Sequence, residues 1–378
     1  MVGTSTVLVI GGTGQFGARI SRRLAKLQSI ELLISSRDQG RAEVLAQEIQ
    51  SSNPNATVSG IALDQRSADF ESDIKKLVPF IVIHTTGPYQ GQDYRVAEAC
   101  IAVGSHYIDL ADGRQFVDNF KTLNDAARRS GVLLVSGAST LPGISTAVID
   151  VLKPKLNHID GIEISIAPAH QTPRGPGTVA AVLSYCGQPF RILKDGNWQT
   201  IYGWQNMRVQ KHPALGRRLS GACDVPDLSL LPEYVPGVKD VSFHAALEAS
   251  WEQISLWIMA WMTRLHMVRD WARYVSLFSA VSERLKSFGS VKGGMHIRLI
   301  GESADGQPAT YDWYLTADDN HGPEIPCTPS IVLVKKLLRN ELHDRGAYAC
   351  HGFFTLDEIM DELLDFTISS EIVTKADC

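Results

Sequence analysis

The 378-residue sequence has no CxxC pair among its six cysteines, no long basic run and no tryptophan before residue 198. Scattered cysteines disfavour a zinc site or a dense disulfide framework, so we expect reduced thiols and a cytoplasmic protein. With 36 basic against 41 acidic residues the net charge is −5. Nucleic-acid binders normally present a basic face, so nucleic acid is not an expected partner. The N-terminus lacks the basic, apolar and cleavage-site pattern of a secretory signal.

The tryptophans are distributed very unevenly. All seven lie between Trp198 and Trp313. This asymmetry predicts two differently built regions rather than one repeated unit. The length agrees, since a domain typically holds ~100–200 residues. A hydrophobic content of 44% is enough to bury real cores.

A glycine-rich turn follows the first predicted strand, Thr6–Ile10, and precedes a helical pattern. Its spacing is Gly-x-Gly-x-x-Gly. Between a buried strand and a helix, this spacing indicates a dinucleotide-binding turn, because bare backbone can approach a pyrophosphate at the helix N-terminus. The alternative is a plain glycine turn. We assign as cofactor-binding residues Gly12, Thr13, Gly14, Gln15, Phe16 and Gly17.

The second strand ends in Ser36 and Arg37, where NAD-specific proteins carry an acidic residue. Hydroxyl and guanidinium groups suit a 2′-phosphate, which favours NADP(H) over NAD(H), with Arg41 as a further cation. The alternative is that Arg37 is a solvated loop residue. Asp64, after the third strand, either meets the adenine edge or serves a capping or loop role.

Strand-like and helical segments alternate six times up to residue 135, one predicted helix covering Phe116–Arg129. This alternation predicts an α/β fold with a doubly wound parallel Rossmann sheet. Ligands of such sheets bind beyond the carboxyl ends of the strands. The segments Thr85–Gly91 and Asp109–Asp112 both follow predicted strands, so we expect them on the cofactor side.

The sequence resembles the saccharopine dehydrogenase-like oxidoreductases in VLVIGGTGQFGARI, HTTGPYQGQDYRVAEACIAVGSHYIDLAD and GASTLPGIS. The resemblance covers Val7–Ser145 and recurs in GPGTVAAVLSYCG and Cys327–Phe353. It implies an NAD(P)-dependent enzyme that oxidises or reduces a secondary amine formed between an amino group and an aldehyde or keto acid. It also implies cofactor roles for Gly12, Gly14, Gly17 and Arg37 and, near the nicotinamide ribose, for Thr86, Gly87 and Pro88. The stretch Trp204–Met267 does not align, so the resemblance names no substrate.

The later sequence changes character. Residues 141–325 predict a second, α+β domain for substrate binding and dimerisation, including a hairpin of Gly294–Gly301 with Ala309–Ala317. We assign residues 1–140 to the dinucleotide-binding domain, which the resemblance completes with 326–378. The apolar core of Trp251–Phe288 is too short for the ~20 residues of a membrane span. That stretch either packs on its own domain or a partner, or lies at a membrane surface or over an apolar substrate.

The catalytic residues are the least constrained part of the sequence. Tyr89 is the first candidate for substrate contact or proton transfer, with stacking beside the cofactor as the alternative. Asp112 either orients an amino group or bonds to loop backbone; Asp93 and His170 are further candidates, the latter more often structural. No Tyr-x-x-x-Lys pair follows the fourth strand, and no zinc-ligand constellation is present. We predict an NADP(H)-dependent oxidoreductase, a homodimer with a small-molecule substrate; the alternative is a non-catalytic NADP(H)-binding protein with peripheral membrane contact.

Overall fold

The protein is described by a computed structural model covering residues 4–172, 175–285 and 289–376. Its strands are β1 (Ser5–Ile10), β2 (Ile30–Ser36), β3 (Thr57–Ala62), β4 (Ile81–His84), β5 (His106–Asp109), β6 (Leu133–Ser136), β7 (His158–Ala167), β8 (Pro189–Lys194), β9 (Asn197–Tyr202), β10 (Arg208–His212), β11 (Gly216–Ala222), β12 (Asp240–Ala246), β13 (Gly293–Glu302), β14 (Pro308–Ala317), β15 (Gly346–Ala349) and β16 (Ile368–Ala376).

The α-helices share the chain with several short 3₁₀ turns. They are α1 (Gln15–Leu24), α2 (Gln39–Ser52), α3 (Phe70–Leu77), α4 (Arg95–Val103), α5 (Arg114–Asn119), α6 (Asn124–Ser130), α7 (Ser145–Leu152), α8 (Pro176–Ser184), α9 (Asp227–Tyr234), α10 (Ser250–Arg264), α11 (Val275–Leu285), α12 (Thr328–Leu338) and α13 (Leu356–Asp361). None of the helices among the described residues combines the length and apolarity that crossing a bilayer requires.

Two compact units divide the chain. Unit 1 contains residues 1–143 and 324–354, and unit 2 contains residues 144–323 and 355–378. The prediction that all of 326–378 completes the first domain is wrong for residues 355–378. They belong to unit 2 because β16 pairs antiparallel with β14, from Ala309 opposite Ala376 to Ala317 opposite Ile368.

Unit 1 is built on a parallel sheet with the strand order β15-β6-β5-β4-β1-β2-β3. Val7, Leu8 and Val9 of β1 are fully buried, as are all four residues of β4. Parallel strands covered on both faces require such continuous apolar runs. The strand order reverses between β1 and β4, which creates a switch point at the carboxyl edge of the sheet. The expected doubly wound Rossmann sheet is confirmed.

The predicted helix Phe116–Arg129 is interrupted. The structure has α5, then a 3₁₀ turn at Phe120–Leu123, then α6. The Thr122 hydroxyl donates to the Asn119 carbonyl at 2.7 Å within this turn. Side-chain hydroxyls that bond to nearby backbone groups compete with the regular hydrogen bonds of an α-helix. The Thr122 hydroxyl makes such a bond where the helix tightens into the 3₁₀ turn.

Unit 2 contains a mixed sheet in the order β10-β11-β12-β7-β13-β14-β16, with β8 and β9 attached through β12. The predicted hairpin is confirmed: β13 and β14 pair from Gly293 opposite Ala317 to Glu302 opposite Pro308. The stretch Trp251–Phe288 contains two helices, α10 and α11; Phe288 lies outside the described residues. His266, at φ 57°, is in the left-handed region just past α10, where a helix cannot continue.

Candidate dinucleotide site

The glycine-rich turn between β1 and α1 is tightly packed at three places. The Gly14 amide donates to the Gly11 carbonyl at 2.8 Å, and Gly11 has φ 74°. A Cβ on Gly17 would lie 2.8 Å from the Gly12 Cα, and one on Gly12 would lie 2.6 Å from the Ile34 Cγ2. Because side chains have no room here, α1 packs directly against the turn. The backbone geometry is that of a dinucleotide-binding turn.

The first turn of α1 can receive an anion. Its N-cap is Gly14, and no side chain caps the helix there. A helix N-terminus carries amide donors and a partial positive charge, and both favour phosphate. The bare backbone at Gly12 and Gly17, where a Cβ would collide with its neighbours, and the free end of the helix therefore fit a pyrophosphate.

The loop after β4 is fastened to the same turn. The Thr85 hydroxyl donates to the Ile10 carbonyl at 2.8 Å, and a Cβ on Gly11 would lie 2.6 Å from the Thr86 hydroxyl oxygen. The Gln92 amide donates to the carbonyls of Thr86 and Pro88 at 2.8 and 2.7 Å. Thr86, Gly87 and Pro88 therefore lie beside the glycine turn at the switch point, and Thr85 joins them as a residue that the sequence analysis did not assign.

The end of β2 approaches the turn from the other side. The Gly12 amide donates to the Ser35 carbonyl at 2.9 Å. Ser36 accepts a hydrogen bond from the Asp38 amide at 3.2 Å, and Arg37 is exposed. A groove of about 510 Å³ adjoins this corner, lined by Thr13, Ala18, Arg22, Asp38, Gly40, Arg41, Val44, Leu45 and Glu48.

Asp38 also shapes this groove. Its carboxylate caps α2 by accepting the Arg41 amide at 3.2 Å. Asp64 lies nearby, since the Leu63 amide donates to the Ser36 carbonyl at 2.9 Å, and its carboxylate accepts the Arg66 amide at 3.0 Å. Asp64 thus has the loop contact that was one of its two expected roles, while its approach to adenine stays a prediction.

Tyr89 is placed with its phenol in the domain interior. Only 4% of the residue is exposed, and its hydroxyl donates to the His84 carbonyl at 2.6 Å. Burial raises its pKa well above the ordinary value, so the phenol keeps its proton. This geometry favours packing over proton transfer, and the catalytic role of Tyr89 stays a prediction.

The other candidate acids and bases have hydrogen-bond or ion-pair partners of their own. Asp112 is exposed and accepts the Gln90 side-chain amide at 3.3 Å, whereas Asp93 pairs with Arg95 at 3.1 Å. His170 belongs to unit 2, where its Nε2 lies 3.0 Å from the Leu285 carbonyl. These are loop and packing contacts, and the catalytic roles of the three residues stay predictions.

Asp109 is a residue that the sequence analysis placed on the cofactor side without assigning a role. It is fully buried, and its Oδ1 accepts the amides of Ala111 and Gly137 and the Ser136 hydroxyl at 2.8–3.0 Å. Burial raises its pKa to about 6 despite those donors. Asp109 therefore holds together the loops that leave β5 and β6. The signal was its position as the last residue of a buried strand.

Unit 2 carries a separate polar cluster. His296 lies 2.6 Å from Asp312, and Arg298 donates to both oxygens of Asp312 at 2.7 and 3.1 Å. His296 also stacks on Tyr314 with centroids 4.4 Å apart. The hairpin register brings these residues together, because His296 lies opposite Tyr314 and Arg298 lies opposite Asp312. The hairpin was predicted from the sequence, whereas this cluster was not. No group of three or more possible metal ligands occurs within the described ranges.

Comparison with known proteins decides the class of unit 1. The family model described as "Saccharopine dehydrogenase NADP binding domain" matches residues 7–135. This part of unit 1 is therefore similar to a saccharopine dehydrogenase NADP-binding domain. The resemblance drawn from the sequence motifs is confirmed, as is NADP(H) as the cofactor. The NADP-binding domain spans β1 to β6, and β15 adds a strand from later in the chain.

Two further comparisons are with a solved structure and with a relative found by sequence. Apo histidine-tagged saccharopine dehydrogenase (L-Glu forming) from Saccharomyces cerevisiae is similar over 98% of this chain and 100% of that one, with TM-score 0.68 and 14% identity. At that identity the likeness shows a shared fold, including unit 2. "Short-chain dehydrogenase/reductase ATR9" of Stachybotrys chlorohalonatus is 30% identical over 83 residues. That match covers 22% of this chain and about a third, 32%, of the relative.

Proposed function

We propose that the protein is an NADP(H)-dependent oxidoreductase of the saccharopine dehydrogenase type. It acts on a C–N bond, as an imine or secondary amine, or on a related carbonyl carbon of a small molecule. The observation that carries the proposal is the glycine turn from Gly12 to Gly17 at the switch point of unit 1. NADP(H) supplies hydride exchange when it is bound, and the chain's own residues bind and orient it.

Each part of the turn has a proposed role. The α1 N-terminus, with Thr13, Gln15 and Phe16, binds the pyrophosphate. Ser36 and Arg37, with Arg41 across the groove, hold the 2′-phosphate. The loop of Thr86, Gly87 and Pro88 borders the nicotinamide side, and Asp112 orients the amino group of the substrate. The five described cysteines are buried and form no disulfide, which is compatible with the proposed cytoplasmic location. The homodimer is a separate part of the proposal.

Arg37 provides the test of cofactor choice. A charge-assisted hydrogen bond contributes about 1.5–3 kcal/mol, so Arg37→Ala should weaken NADPH binding roughly 10- to 100-fold. NADH lacks the 2′-phosphate and should lose little. Arg129→Ala, at an exposed position on α6, is the matched control. Both affinities are measured by titration of nucleotide fluorescence. Equal losses for NADPH and NADH would contradict the role of Arg37.

Activity is tested by following NADPH absorbance with pairs of an amine and a keto acid or aldehyde. Consumption of NADPH that requires both partners supports reductive chemistry at an imine. Tight NADPH binding with no turnover across the panel would favour the second candidate, a non-catalytic NADP(H)-binding protein. The inward hydroxyl of Tyr89, which donates to the His84 carbonyl, favours that candidate. Light scattering tests the homodimer.

A further inference from the structure

Helix α10 of unit 2 exposes apolar side chains where a surface helix normally exposes polar ones. Residues three or four apart line one side of it and are 37–64% exposed. We call this set the apolar face of α10: Trp251, Ile254, Ile258, Trp261 and Leu265. The opposite side is buried, with Leu256, Met259, Ala260 and Thr263 turned inward. The helix is therefore anchored on one side and unpartnered on the other.

The connection after α10 is held against that inner side. The Trp271 indole donates to the Thr263 hydroxyl at 2.9 Å and lies 3.2 Å from the Met259 carbonyl. These contacts fix where the connection runs relative to the helix. Helix α11 repeats the exposed apolar spacing with Leu277 and Val281, at 60 and 42% exposure. Exposed apolar residues thus recur on both sides of the connection.

The connection itself is basic in an acidic protein. Between residues 264 and 274 the chain carries three arginines and His266 against the single acid Asp270. Arg269 and Arg273 are exposed. Arg264 lies over the Trp261 ring at 4.5 Å, which sets a guanidinium beside the apolar face. A cationic border next to exposed tryptophan and aliphatic side chains is complementary to anionic headgroups above acyl chains.

We propose that the apolar face of α10 docks on an anionic phospholipid bilayer. The 15-residue helix is too short to span a membrane, and it lies in the plane of the interface. Ile254, Ile258 and Leu265 enter the acyl boundary, Trp251 and Trp261 lie at headgroup level, and Arg269 and Arg273 contact phosphate and serine carboxylate groups. This inference does not depend on the oxidoreductase activity.

Vesicle co-sedimentation tests the apolar contact. The vesicles contain phosphatidylserine and phosphatidylcholine in equal parts, with pure phosphatidylcholine as comparison. Ile258→Asp and Leu265→Asp should each lower the bound fraction at least about tenfold, because a charge must enter the acyl boundary. Leu364→Asp, at a 78% exposed site just after α13, is the matched control and should bind like the wild type.

A second pair of variants tests the cationic border. Arg269→Gln and Arg273→Gln should each weaken binding to phosphatidylserine vesicles about fivefold and leave pure phosphatidylcholine unaffected. Arg129→Gln is the control for loss of one exposed arginine elsewhere. Circular dichroism and urea unfolding verify that all variants fold, which is expected because every substituted side chain is exposed.

Two results would overturn the proposal. One is the absence of wild-type binding to phosphatidylserine vesicles at low salt. The other is self-association, seen as a dimer in light scattering that Ile258→Asp abolishes, with no vesicle binding. In that case a second copy of the chain covers the apolar face. Since neither assay uses turnover, a negative result leaves the oxidoreductase proposal standing, and failure of that proposal leaves this one testable.

Discussion

Gly17→Ala tests whether the direct packing of α1 against the glycine turn is what the fold requires. The added Cβ would lie 2.8 Å from both the Gly12 Cα and the Thr85 hydroxyl oxygen, and it would also meet the Gly11 carbonyl. Two of these three neighbours are backbone atoms, which cannot rotate away. The Thr85 hydroxyl is itself held by the Ile10 carbonyl.

The expected magnitude is a difference between two opposing effects. Replacing glycine by alanine inside a helix is worth roughly 0.5–1 kcal/mol of stabilisation. Overpacking typically costs about 1–3 kcal/mol, and immobile backbone neighbours put Gly17 at the upper end. We expect the free energy of unfolding to fall by about 2 kcal/mol. NADPH affinity should fall more than about tenfold, because displacing α1 moves its N-terminus from the phosphate position.

Urea unfolding and NADPH titration measure the two effects. Gly40→Ala is the stability control: Gly40 also lies in the first turn of a helix, but its Cβ would have no neighbour closer than Asp38 Oδ1 at 3.4 Å. It should be neutral or slightly stabilising. If Gly17→Ala unfolds at the same urea concentration as Gly40→Ala, close packing at Gly17 is not a determinant of this turn, and the reasoning fails.

Two further predictions concern buried groups. Tyr89→Phe removes one hydrogen bond to a backbone carbonyl, so it should lower the free energy of unfolding by about 1 kcal/mol, as should the control Tyr94→Phe. Turnover should change less than ~10-fold. A loss of turnover of ~100-fold or more would instead identify Tyr89 as a proton donor. Asp227 is fully buried beside the Ser145 hydroxyl, and burial raises its pKa to about 7. Because the carboxyl has a higher pKa in the folded state than in the unfolded state, its contribution to stability is complete below the ordinary value of 3.8. That contribution falls as the pH rises from there through the folded-state value of about 7. Between pH 5 and 8 the wild type should therefore lose about 2–3 kcal/mol more unfolding free energy than Asp227→Asn, and identical pH profiles in urea titrations would contradict this.

The dinucleotide site is the part that local sequence determines most directly. Strand β1, the turn to Gly17 and helix α1 are contiguous, so strand hydrophobicity, glycine spacing and helical periodicity reinforce one another within twenty residues. The position of Ser36 is predictable for the same reason, because it is the last residue of the buried strand β2. By contrast, the assignment of residues 355–378 depended on which sheet β16 joins. That pairing is made with β14, fifty residues earlier, and no local pattern specifies it.

Side-chain direction separates the residues that sequence could assign from those it could not. Tyr89 lies in the predicted loop, yet its hydroxyl turns inward to His84, an orientation set by tertiary packing with Phe116 at 5.4 Å. Asp109 and Asp112 belong to one short motif, and only the first is buried. Helix periodicity likewise identifies two faces of α10, but both are apolar, so sequence could not tell which one packs inward.

The polar cluster in unit 2 was partly predictable, because the sequence predicts the hairpin that carries its residues. A hairpin turning near Asp305 and Gly306 pairs residues whose numbers sum to 610, as Gly293 with Ala317 and Glu302 with Pro308 show. The same sum pairs His296 with Tyr314 and Arg298 with Asp312, which places an imidazole, a guanidinium and a carboxylate on one face of the sheet. The register of the hairpin therefore determines which charged residues form the cluster. Arg298 donates to both oxygens of the fully buried Asp312, so Arg298→Gln should leave that carboxylate incompletely paired and destabilise unit 2 more than removal of an exposed arginine would.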